Sequence, residues 1–237
     1  MLWLGIGMCV AGAAHAQSAD APSVAANDSW VYQDTVEKGT GWQQNRSEVT
    51  VVRVGPSSIL LSKRPAGSRL PPTEQMLGAD WSRVRSVDGH ETVVNRPLSF
   101  PLRTGRSWIV EYTETNPNRQ HTSEHFRSPY RVMGWEDVTV PAGTFHAIKI
   151  EAEGEWQAAL APALSAASGS RVDAQGSTVV MQTNRTTPRT VSGRTYKAFW
   201  YVPAVKRWVK SVEEYYDGNG VRNERYTDEL ESYKVAS

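Results

Sequence analysis

Residues 134–153 read GWEDVTVPAGTFHAIKIEAE, and their pattern decides what kind of fold the chain can have. Val138 and Val140 share one face of an extended segment, Pro141 withdraws a ladder donor, and Gly143 permits a sharp reversal. Phe145 then returns a large apolar group to the core, while Ile148, Ile150 and Ala152 alternate with Lys149, Glu151 and Glu153. A period of two with one wet face marks a half-buried strand. The segment is therefore expected to be a structural hairpin, with Gly143 at positive φ and Phe145 buried.

The same period extends outward in both directions. Val49 and Val51 alternate with polar neighbours, and Trp108, Val110 and Tyr112 fall on one face of another run. Turn sequences separate such runs, among them Gly55-Pro56-Ser57-Ser58, Val87-Asp88-Gly89-His90 and Asp217-Gly218-Asn219-Gly220. The pattern predicts an all-β chain, an antiparallel curved sheet or open β-barrel of about ten to twelve strands. Residues 17–28 read as a flexible leader and 29–237 as a single β domain. Within it, 156–190 exchange valines and isoleucines for alanine, serine and threonine. That stretch is expected to be a mobile insertion, with one strand around 178–183.

The chain has 237 residues, of which 22% are charged, with a formal net charge of +1. This excludes disordered polyelectrolytes, and the length is enough to bury a core without metals or disulfides. Residues 2–14 form an uncharged apolar or small run that ends in Ala14-His15-Ala16, the A-x-A pattern of a signal peptidase site. Cleavage is expected to give a mature chain starting at Gln17. The run is too short for a stable span, so no transmembrane segment is expected in the mature protein. Met8 before Cys9 is wrong for a lipidation site. The only cysteine would leave with residues 1–16. A cysteine-free exported domain of this size fits a bacterial periplasm or secretion.

Several stretches carry a resemblance. They are Pro97-Leu98-Ser99-Phe100-Pro101-Leu102 with Gly105 and Trp108, the 134–145 segment, Phe199-Trp200-Tyr201-Val202-Pro203 through Trp208-Val209-Lys210, and Glu229-Leu230-Glu231-Ser232-Tyr233-Lys234. Together they resemble uncharacterised exported bacterial β-proteins that share a V-P-A-G-x-F segment. That segment is also similar to one in domains of unknown function, related in shape to the open barrels that carry periplasmic lipoproteins. The resemblance implies a curved sheet that holds an apolar or amphipathic ligand, and no activity.

Catalytic templates find little support. His121-Thr122-Ser123-Glu124-His125 matches H-x-x-E-H, a zinc motif that needs a helix to bring both histidines to one metal. Asn116-Pro117-Asn118 before it and Pro129 after it predict a loop entering a strand instead. There the histidines would lie about 13 Å apart, at roughly 3.3 Å per residue. Neither a G-x-S-x-G elbow nor a Walker loop occurs in the sequence. The expectation is a non-catalytic protein with neither cofactor nor metal.

Eight tryptophans after Gln17 are many for this length, and their spread over the strands favours core packing. Trp108, Trp135, Trp200, Tyr201 and Trp208 are the candidate ligand-lining aromatics, since such rings stack on sugars or line a lipid cavity. Arg171, Arg185, Arg189, Arg194, Lys197, Lys206, Arg207 and Lys210 face only Asp173 within 171–210, whereas 211–237 are acidic. Cross-strand pairing explains this most simply. Otherwise Arg185, Arg189, Arg194 and Lys197 would contact an anionic polymer or partner. The expected partners are a lipid, a glycan or an envelope protein, and no nucleic acid.

Overall fold

A computed structural model describes residues 18–161, 165–172, 178–185 and 189–236, the two middle stretches as backbone only. Residues 1–16, with the proposed cleavage site and Cys9, lie outside the described residues. The strands are β1 Ser29–Lys38, β2 Gly41–Val54, β3 Ser58–Pro65, β4 Thr73–Gly78, β5 Arg83–Val87, β6 His90–Asn95, β7 Ser107–Thr115, β8 His121–Val140, β9 Gly143–Leu160, β10 Ser165–Val172, β11 Thr178–Arg185, β12 Thr190–Val202, β13 Arg207–Tyr216 and β14 Arg222–Lys234. The only helical turn among the described residues is the short 3-10 turn Pro203–Val205. No described helix is long and apolar enough to cross a membrane.

Ten strands form one antiparallel sheet in the order β4-β3-β2-β1-β14-β13-β12-β9-β8-β7. The fold is thus the open, curved, antiparallel sheet that the alternation predicts. The hairpin β5–β6 touches both edge strands and bridges the gap between them. Arg85 pairs with Glu114 on β7, and the Thr115 N–H donates to the Asp88 carboxylate. The hairpin β10–β11 leaves the sheet between β9 and β12, so the strand expected around 178–183 is there as β11. The two hairpins bring the strands among the described residues to fourteen, against about ten to twelve expected.

β9 runs on through Leu160, and Trp156 to Ala159 pair with Gly193 to Thr190 of β12. Ala158 and Ala159, in an alanine-rich stretch without β-branched residues, hid this continuation, which main-chain pairing with β12 supports. In the predicted leader, Ala19 is buried and exchanges two backbone hydrogen bonds with Leu102.

Side-chain parity divides the sheet into two faces. Trp108, Val110 and Tyr130, then Ile150, Phe199 and Tyr201, and finally Trp30, Val49, Val51 and Leu61 all point to the concave side. Trp81, Leu98, Phe100 and Leu102, from the loops flanking β5 and β6, fill one half of that concavity. Trp30, Trp81 and Trp208 meet edge to face there, with centroids 5.6 and 6.1 Å apart. This packed half is the hydrophobic core. The hairpin tip behaves as its sequence predicts in the backbone, where Val140 pairs with Gly143 and Gly143 sits at φ 129°. Phe145 is only half-buried, because its ring packs at the core margin against Tyr233.

Candidate functional site

The other half of the concave face stays open, and its lining differs in kind. From β7 to β9 it presents Tyr112, Phe126, Glu124, His121 and Trp156; β12 and β13 add Thr195, Lys197, Glu213 and Tyr215. Most of these residues line a cavity of about 480 Å³ together with Arg83 of the bridging hairpin. β14 and β1 continue the belt with Tyr226, Asp228 and Asp34. Beyond them a second cavity of about 900 Å³ is lined by Asp34, Asn45, Ser47, Lys63 and Gln75. The result is a trough of aromatic rings, hydroxyls and paired charges.

Local geometry holds each group. The Lys197 ammonium lies 3.0 Å from Glu213, and the Tyr215 hydroxyl donates to Glu213 at 3.1 Å. Lys197 and the Tyr215 hydroxyl hold the Glu213 carboxyl below its ordinary pKa, although its burial acts the other way. Tyr215 meets Tyr226 edge to face at 5.9 Å. Asp34 and Asp228 stand directly opposite on β1 and β14. Burial, and then repulsion from Asp34, push the Asp228 carboxyl up to about 6. Ser211 donates to Asp228 at 3.1 Å, and Lys63 lies 3.5 Å from Asp34.

Arg207 lies buried at the boundary between the two halves. Its guanidinium is 4.4 to 5.6 Å from the ring centres of Trp208, Trp81, Trp30 and Tyr32. Burial holds its pKa below the ordinary arginine value, while the charges of Asp228 and Asp34 act in the opposite direction.

The aromatics singled out from the sequence lie elsewhere. Trp108 stacks on Tyr130 at 5.4 Å and donates to the Arg96 carbonyl, while Tyr201 and Trp208 belong to the core. Trp200 donates to Glu136 and lies within 6 Å of the Lys149 and Lys210 ammoniums on the convex side. Trp135 stacks on His146. Trp156 was missed, although extending the parity of Ile148, Ile150 and Ala152 by two steps reaches it.

The basic candidates do not gather on one face either. Lys197 points into the trough, whereas Arg194 stacks over Tyr216 and Arg189 is exposed. Lys206 pairs with Asp28, and Lys210 with Glu229. Arg185 is described in backbone only, in β11. The H-x-x-E-H residues lie on a strand, and a bulge between His121 and Ser123 changes the parity. His121 contacts Glu124 at 3.0 Å inside the trough, whereas His125 bonds Thr113 on the other face.

No protein-family model matches the chain, and no curated protein matches it in sequence. Among solved structures it is similar to a candidate lipoprotein of Parabacteroides distasonis ATCC 8503, with 15% identity and a TM-score of 0.47 over 92% of this chain and all of that one. It is also similar to a candidate exported protein with a YmcC-like fold from Bacteroides fragilis NCTC 9343, with 14% identity and a TM-score of 0.39 over the same shares.

Proposed function

We propose that the protein is exported to the bacterial periplasm and binds the polar part of an amphipathic envelope ligand in the open half of its concave face, without catalysing a reaction. One observation carries this reading: a single sheet face is packed solid at one end and walled at the other by Tyr112, Phe126, Trp156, Tyr215 and paired charges. Apolar surface lining a cavity with a few placed polar groups is the common form of a ligand site. Here the polar share is large, so the part of the ligand held is polar. Glu213 is tied to Lys197 and Tyr215, which favours holding over proton transfer. The Ala14-His15-Ala16 pattern supports export.

Native mass spectrometry of protein released from its own periplasm tests both halves of the proposal. The expected species is the chain from Gln17 plus a bound molecule, and the adduct should be lost in Trp156→Ala. A bare polypeptide, or one retaining Met1, would contradict the corresponding half.

A further inference from the structure

Resting on that reading of the trough, we infer that its polar occupant is a glycan, with a sugar ring laid against the wall around Trp156 and its hydroxyls turned toward Thr195. The wall is built for a ring. Trp156 crosses over Gly193, where a Cβ would come within 2.6 Å of the indole nitrogen, so the missing side chain is what lets the indole lie there. His121 stacks on the indole at 6.1 Å, and Tyr112 with Phe126 at 5.4 Å extends the aromatic surface along the adjoining strands.

The floor is polar and unfinished. Thr195 lines the cavity and is 4% exposed; its hydroxyl lies just under the surface beside Gly154, near the Ser128 hydroxyl, and neither hydroxyl has a hydrogen-bond partner. Buried hydroxyls are normally paired, so one left open beneath an aromatic wall points to a partner of its own kind. Gly154 opposite Thr195 keeps the space clear, since a Cβ there would collide with that hydroxyl. Glu124 and the Lys197–Glu213 pair set acceptors and a donor beside the rings.

A sugar offers both an apolar C–H face and hydroxyls that donate and accept. An alkyl chain would leave Thr195, Lys197 and Glu124 unused, and a phosphate, although Arg83 and Lys197 could meet it, would also face the Glu124 and Glu224 carboxylates.

The test uses the chain from Gln17 and three probes below any micelle-forming concentration: n-octyl β-D-maltoside, free maltotetraose and n-octylphosphocholine. Calorimetry should find the maltoside bound at least tenfold tighter than the phosphocholine. Trp156→Ala should weaken the maltoside at least tenfold. Thr195→Val should weaken it severalfold while leaving the thermal midpoint unchanged. Maltotetraose binding as well as the maltoside would identify a free glycan as the occupant; much weaker binding would identify a glycolipid. Equal binding of both octyl probes, indifferent to Trp156→Ala, would overturn the glycan inference and leave the amphiphile reading standing. If none of the three binds, both fall.

Discussion

Asp28 is almost wholly buried, and its carboxylate accepts from the Ala25 N–H at 2.9 Å, the Ala236 N–H at 2.6 Å and the Lys206 ammonium at 3.2 Å. It joins the start of the sheet, its last residues and the turn before β13. Asp28→Ala would leave a half-desolvated ammonium and two backbone donors without their acceptor, at a cost of about 3 kcal/mol. Urea unfolding measures this, and a loss below about 1 kcal/mol would contradict the assignment. Asp228 offers a test by pH. Its carboxyl is raised from 3.8 to about 6, first by burial and then by Asp34, so between these values the folded state binds more protons than the unfolded one. The stabilising contribution is full below about 4 and is lost as pH rises through 6. Lys63 of β3, Ser211 and Glu213 of β13 and the buried Arg207 also face the pair. Asp228→Asn should therefore flatten the stability profile between pH 4 and 6.5 and raise stability at pH 7.5 by about 1 to 3 kcal/mol. A loss of stability at pH 7.5 would instead make the charge a net stabiliser.

The β8–β9 hairpin shows how far an element can be read in advance. Its turn, its pairing and the conformation of Gly143 follow from Pro141, Gly143 and the alternation on either side. No atom lies within 4 Å of where a Cβ at Gly143 would stand, so any cost of Gly143→Ala comes from the backbone at φ 129° alone. About 1 to 3 kcal/mol is expected by chemical denaturation. Phe145→Ala should cost about 2 kcal/mol, less than a fully buried ring would, because its ring is half-exposed. A neutral Gly143→Ala would show that the turn relaxes. Where the sequence misleads, a bulge is often responsible. Register shifts leave Val209 of β13 and Thr122 of β8 as extra residues, so parity counted along either strand across that point assigns the wrong face. Trp200 and Tyr201, by contrast, are neighbours on a strand that pairs with β9 without interruption, so plain alternation already puts them on opposite faces.

At the level of the whole molecule, alternation made the fold legible because each strand has one dry face. The site was legible only in part. Lys197 stands out only as part of a basic stretch, Thr195, Glu213, Asp228 and Asp34 look like ordinary polar positions in their own strands, and all five share a trough only because β12, β13, β14 and β1 lie side by side. Burial of Arg207 likewise depends on Trp30 and Trp81, which are distant in the chain. The central claim is that the open half of the concave face holds the ligand. A chain beginning at Gln17 has no cysteine, so single cysteines can report on each face. Tyr226→Cys lies in the trough between the two cavities, and Ile109→Cys lies exposed on the convex side. The deciding measurement is the rate of maleimide labelling of each variant as released from the periplasm, against the same protein unfolded and refolded without ligand. The account predicts slower labelling of Tyr226→Cys in the released protein and no change at Ile109→Cys; equal rates at Tyr226→Cys, or protection at Ile109→Cys instead, would contradict it.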